Sequence, residues 1–187
     1  MSKIESPFGG EFIPLDVLNQ TITAKAVSDH LSSNGKPFDP ELPNTIINRA
    51  RKIFAILILT EKEDQIERLI TENLTDDDLP LSSTKGGNEH TLESGRTPGK
   101  YFHAFGNWTD ARIHEFLDKQ WCVQAPVLGA TNGNLVLAEK CPLPFIGTET
   151  RTIKNAPGGV IYQSILHSSH HEGPQVCSIL TTMICIC

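Results

Sequence analysis

"NTIINRARKIFAILIL", residues Asn44 to Leu59, is the stretch whose reading decides the fold class. Its apolar residues are Ile46, Ile47, Ala50, Ile53, Phe54, Leu57 and Ile58. They recur at the three- and four-residue spacing that gathers side chains on one face of an α-helix. Asn48, Arg49, Arg51 and Lys52 fall largely outside that face, and Asn44, following Pro43, is the predicted N-cap. A helix with one wide apolar stripe must bury it against other elements, so its neighbours define the architecture.

Upstream, Leu15, Leu18 and Ile22 keep helical spacing after an extended lead-in from Pro7 to Pro14. Thr23 can cap a continuation through Val27 and Leu31. Between these and the central helix, "SSNGKPFDPELPN" (Ser32 to Asn44) is dense in Gly, Pro and Asn and reads as a loop. Downstream, "TEKE" from Thr60 has the form of a capping box, in which Thr60 and Glu63 satisfy each other's backbone amides. Ile66, Leu69, Ile70 and Leu74 form the stripe of the helix that follows. The acidic run Asp76 to Asp78 opposes the macrodipole of a longer helix, so the helix is expected to end near Leu74 with the carboxylates in solvent. Residues 12–79 are therefore expected to form a helical hairpin or bundle.

"SSTKGGNEHTLESGRTPGK" (Ser82 to Lys100) is polar, Gly-rich and without period, and residues 80–100 read as a flexible linker. Order is expected to resume over residues 101–124. There Thr109 can cap a helix with Asp110 in its first turn and an apolar face of Ile113, Phe116, Leu117 and Trp121. Trp108 and Trp121 read as packing residues. Beyond it the pattern turns β-like. "VLGATNGNLVLAEK" places two apolar runs around Asn132-Gly133, a strong hairpin signal. "PFIGTETRTIKNAPGGVIYQSILH" reads as a second hairpin turning between Lys154 and Gly159. The fold class expected is α+β, with no internal repeat.

Composition narrows the function. The chain has 187 residues, is 39% hydrophobic and only 6% aromatic, and so folds around a modest core. A net charge of -6 argues against a nucleic-acid partner. The longest apolar run, "IFAILIL" at Ile53 to Leu59, is far short of the roughly 18–20 residues that span a bilayer. Cys122, Cys141, Cys177, Cys185 and Cys187 are odd in number, irregularly spaced and without a C-x-x-C pair. With no signal-peptide pattern at the start, they read as reduced thiols of an intracellular chain, cytoplasmic or nuclear. The glycosylation patterns at Asn19, Asn73 and Asn107 then read as chance.

Four segments, in order, resemble the N-terminal half of a family of filamentous-fungal serine/threonine protein kinases. "RARKIFAILILTEKEDQIERLITENLTDDDLPL" is similar to that family's helix with an aliphatic end, followed by an acidic helix closing on D-L-P. "DARIHEFLDKQWCVQAPVL" is similar to its helix leading into Q-W and A-P-V, and "KCPLPFI" to the stretch before its glycine loop. "NAPGGVIYQSILHSSHH" (Asn155 to His171) is similar to its G-G-x-x-x-V-Y-K-V-x-I-H-P-x-H-H. The resemblance runs from about Ser6 to about His171 and is weak in the linker. It implies that residues 125–171 are hairpins like the start of a kinase small lobe, with ATP and Mg as the family's cofactors. It also makes Gly158, Gly159 and Ile161 the candidate nucleotide-binding residues.

This chain departs from the family where the chemistry lies. In G-x-G-x-x-G-x-V the glycines let a hairpin lie over phosphates and the valine packs on the base. With Ile161 at the valine position, Gly159 takes the third glycine, but Lys154 and Ala156 stand at the first two. Gln163 replaces the family's lysine. No Lys or Arg follows Lys154, and neither H-R-D nor D-F-G occurs, so the charges that position and neutralise a transferring phosphoryl group are missing. No catalytic residue is assigned, and the chain is expected to be a truncated, inactive kinase-like protein needing no cofactor. Residues 172–187, "EGPQVCSILTTMICIC" with Glu172 at its start, do not follow the family's continuation and form an atypical tail.

Gly158-Gly159 also suits any tight turn needing positive φ. His167, His170 and His171 with Cys177 lack the paired close spacing of a structural zinc site, so no metal is assigned. The alternative function is a non-enzymatic helical module in which residues 12–79 present a groove to a protein partner.

Overall fold

A computed structural model describes residues 1–33, 35, 37–84, 90–129, 135–156 and 159–172, with backbone alone for 148–156 and 159–163. The class is α+β. A two-residue strand pair, β1 (Ile4–Glu5) and β2 (Glu11–Phe12), leads into α1 (Leu15–Thr21) and α2 (Ala24–Ser33). Thr23 Oγ1 accepts the Ala26 amide at 3.2 Å, the capping role its position predicts.

The central apolar stretch forms two helices, α3 (Leu42–Arg49) and α4 (Arg51–Leu59), instead of one. Ala50, at φ -142° and ψ 28°, breaks the helical path for a single residue. The spacing of apolar residues survives because one residue barely disturbs the period. Asn44 lies inside α3 and is not its cap, because the helix begins earlier, with Pro43 in its first turn. Ile53, Phe54, Ala55, Ile56 and Leu57 of α4 are all buried. A helix apolar all round belongs at the centre of a fold, and α1, α3, α5 (Ile66–Thr71) and α6 (Asp110–Lys119) pack about it.

The Thr60–Glu63 capping box does not form. α4 runs to Leu59, so Thr60 closes it, its hydroxyl donating to the Ile56 and Leu57 carbonyls at 2.9 and 3.2 Å. A capping box exists one element later, between Thr75 and Asp78. The acidic run there is not a solvated helix end. The Asp76 carboxylate accepts the Lys52 and Ile53 amides at 3.0 and 3.1 Å, satisfying the start of α4 just after the helix break at Ala50. Asp78 is buried, accepts from Thr75 and pairs with Lys100.

Much of the expected linker is structured. β3 (Leu81–Ser83), β4 (Leu92–Ser94) and β5 (Tyr101–Phe102) make an antiparallel sheet with Leu81 opposite Ser94 and Leu92 opposite Phe102. Leu81, Leu92 and Phe102 point inward while Ser82 and Ser83 face solvent. Residues 85–89 lie outside the described set. Buried Gln120 completes the edge, accepting the Leu81 amide at 2.7 Å and donating to the Leu81 carbonyl at 2.9 Å. One hydrophobic core therefore runs from Ile13 to Val123 and joins residues 12–79 to 101–124. Within it Phe105, Trp108 and Phe116 meet edge to face, in keeping with a packing role for Trp108.

The Asn132-Gly133 turn lies outside the described residues, and its flanks are not paired strands. Residues 135–138 have no regular structure, and Leu128 bridges to His171 instead. The second hairpin does form, from β6 (Phe145–Ala156) and β7 (Gly159–Leu166). Its register slips twice, between Ile146 and Arg151 and between Thr152 and Lys154, the first slip beside Gly147 at φ +97°.

Candidate functional site

The β6–β7 hairpin is the feature that the motif-bearing residues share. Ala156 pairs with Gly159 at its closed end, Asn155 with Val160 and Lys154 with Ile161. Gly159 and Ile161 therefore lie at the start of the returning strand. Gly158 lies outside the described residues. The hairpin thus puts the position of the first expected glycine, Lys154, directly across from the position of the expected valine, Ile161.

The base of the hairpin is clamped from three directions. Phe145 is buried and meets Phe8 edge to face at 5.4 Å. The His167 amide donates to the Pro144 carbonyl at 2.8 Å, closing the mouth of the hairpin. The Leu128 amide donates to the His170 carbonyl at 2.8 Å, and the Glu172 amide returns to the Leu128 carbonyl at 3.0 Å. This fixes the A-P-V stretch after α6 against the end of β7.

The third clamp is histidine. His167 starts a short 3-10 turn, Ser168–His170, and its side chain accepts the Ser169 amide. His170 is 1% exposed. Its Nδ1 lies 2.9 Å from the Pro126 carbonyl, which can only accept, so Nδ1 carries the proton. Its Nε2 is then the acceptor for the Leu15 amide at the start of α1, at 3.2 Å. That amide is shared with Ser169 Oγ at 3.1 Å. Phe12 stands edge to face with the His170 ring at 5.4 Å. Burial pushes the His170 pKa below the usual histidine value, outweighing the bond to Pro126. Asp16 loses solvation too, but bonds to the Ser169 hydroxyl and the Val17 amide outweigh that and hold its carboxyl below the ordinary range.

Sequence reasoning picked out the histidines but not this use of them. Leu15 lies 155 residues and Pro126 44 residues from His170, beyond any local pattern. Of the zinc candidates, His170 has both ring nitrogens engaged, and Cys177 lies outside the described residues. Among the described residues, no group of three or more His, Cys, Asp or Glu is arranged to hold a metal. Cys122 and Cys141 are free thiols, and burial raises both pKa values.

A second surface feature is an open cleft of about 830 Å³ between the β1–β2 turn, the end of α6 and residues 135–143. Phe8, Trp121, Leu137 and Leu143 line it, beside exposed Val136. The large exposed apolar side chains among the described residues are Tyr101, Leu135, Val136 and Ile165, none of them within residues 12–79. Among the described residues, no helix is long and apolar enough to cross a membrane.

The geometry defines a class in structural terms: a helical body with a small sheet, carrying a long antiparallel hairpin clamped at its base. Compared with protein-family models, curated proteins and solved structures, the chain matches none.

Proposed function

We propose that this chain is the N-terminal region of a serine/threonine kinase-like protein of the filamentous-fungal type, and that it acts without catalysing phosphoryl transfer. Its role is to hold a glycine-loop-type hairpin on a helical body. One observation carries the reading: three of the four segments that bear the resemblance meet at the hairpin base. Leu128, at the end of the A-P-V-L stretch after α6, is joined by backbone bonds to the His167–His171 exit, and that exit is joined through His167 to Pro144 at the entry.

The chemistry of the residues present supports the second half of the proposal. Phosphoryl transfer depends on fixed positive charge at the phosphates and on an aspartate base beside the nucleophile. The sequence after Lys154 offers no Lys or Arg, and two of three loop glycines are replaced. The test is incubation of the purified chain with Mg and radiolabelled ATP plus generic serine/threonine substrates. No transfer above a protein-free blank is expected, whereas transfer that follows the chain through purification overturns the proposal. Its family half is tested by the gene downstream of codon 171. A lysine-bearing strand and an H-R-D loop encoded there in any frame support it, and absence of such coding sequence counts against it.

A second reading, a protein-interaction module, draws on the cleft beside Trp121 and Val136. On that reading the partner contacts residues 118–122, residues 135–143 and the β1–β2 turn. Pull-down with Val136→Asp as the control variant tests it, since loss of a captured partner in that variant is required.

A further inference from the structure

The residues that hold the hairpin to α1 include one group that can change charge near neutral pH. We propose that His170 is a proton-operated latch, whose protonation loosens the base of the β6–β7 hairpin from the start of α1.

Nδ1–H is committed to the Pro126 carbonyl, so Nε2 must be bare to accept the Leu15 amide. A second proton on Nε2 would set two N–H groups against each other across 3.2 Å. It would also place a charge on a ring that is 1% exposed and walled by Phe12. The Leu15 amide keeps Ser169 Oγ as its other acceptor. Protonation therefore leaves Ser169 Oγ, in the same turn, as the one remaining acceptor for that amide, so α1 is held more weakly but is not released outright.

The charges facing the ring come from three places. Asp16, on α1, favours the proton, while Lys52, on α4, and His167, in the same turn, oppose it. Burial dominates and lowers the His170 pKa, so the sign is fixed. In the opened state the ring titrates near 6.5. The latch is fully closed above that value and weakens as pH falls below it, until the depressed closed-state pKa is reached. Within that window one proton is taken up on opening, so the opening equilibrium rises about tenfold per pH unit. The backbone bonds of Leu128 to His170 and of His167 to Pro144 do not titrate. Opening is thus confined to the α1 side of the hairpin base.

Hydrogen exchange of the whole chain between pH 7 and pH 5, corrected for intrinsic rates, reads this directly. Amides at the start of α1 and in the Ser168–His170 turn at the hairpin exit are expected to lose protection as pH falls below about 6.5, by up to about tenfold per pH unit, while the His167, Leu128 and Ile53–Leu59 amides do not. H170Q offers an acceptor without titrating, and protection of its α1 and turn amides is expected to be independent of pH. H103Q, whose ring faces Thr91 and not the hairpin base, is expected to keep the wild-type dependence. Should H170Q fail to fold, ring-nitrogen chemical shifts of the wild type decide the matter. A neutral Nδ1–H tautomer at pH 7 that becomes imidazolium together with the loss of protection supports the latch. Protection of the α1 and turn amides that tracks the core across this range, wild-type dependence in H170Q, or a ring that titrates with no loss of protection overturns it.

Discussion

Replacing Asp78 with alanine tests whether the acidic run is a structural knot. The Asp78 side chain is 3% exposed and receives Lys100 Nζ at 2.8 Å on each carboxylate oxygen. It also accepts the Thr75 amide at 2.9 Å and the Thr75 hydroxyl at 3.1 Å. These contacts tie the turn after α5 to the loop between β4 and β5. Losing one partner of a buried pair costs about 3–5 kcal/mol. Lys100 is 35% exposed, so water partly screens and rescues it, which brings the pair nearer 2 kcal/mol. Loss of the capping contact adds about 1 kcal/mol. Asp78→Ala should therefore cost about 3 kcal/mol, or roughly 6–12 °C in Tm for a chain of this size. Urea denaturation of Asp78→Ala, Lys100→Met and the double variant measures it, with an expected coupling of about 1–2 kcal/mol. The pH dependence has a definite sign. Burial alone would raise the Asp78 carboxyl, but Lys100 and Thr75 hold it below the ordinary value. Its contribution is thus present above about pH 4 and lost as pH falls through the depressed pKa. A cost under 1 kcal/mol with no coupling would refute the reasoning and return the acidic run to solvent.

Two further substitutions probe the small sheet. Gln120→Leu strips both backbone groups of Leu81 of their partner and should cost about 3 kcal/mol by urea denaturation; a change under 1 kcal/mol would show that water replaces the amide. Gly95→Ala would drive a Cβ into the Pro80 carbonyl oxygen, to which the Gly95 amide already donates at 2.8 Å, and should cost about 2 kcal/mol. A thermal scan showing unchanged Tm in Gly95→Ala would mean that the Pro80–Gly95 contact, before β3 and after β4, yields freely.

What could be read from the sequence was what repeats along it. The apolar period from Ile46 to Ile58, the stripe around Ile113 and Phe116, and the hairpin ending near Gly159 all follow local spacing, and each element exists. What could not be read depends on partners far along the chain. The break at Ala50 is supported by a carboxylate from Asp76, 23 or more residues away. Strands β3 and β4 are too short to show alternation, and Leu81 relies on Gln120, 39 residues on. The acidic run looked solvated because charge predicts exposure on average, and Lys100 as its partner lay in a stretch read as linker. His170 stood out as part of a histidine crowd, yet its meaning came from Leu15 and Pro126. The Asn132-Gly133 signal misled in its flanks, because Leu128 found a better partner in the segment after β7.

The central claim is that the hairpin holds its shape without engaging nucleotide. Thermal unfolding of the purified chain with Mg-ATP from micromolar to 10 mM tests it most directly. A site with a Kd near 0.1 mM would add about 2.7 kcal/mol at the highest concentration, several degrees in Tm. An unchanged Tm across the titration is the predicted result. A saturable rise at or below 1 mM, abolished by Gly159→Val, would contradict it.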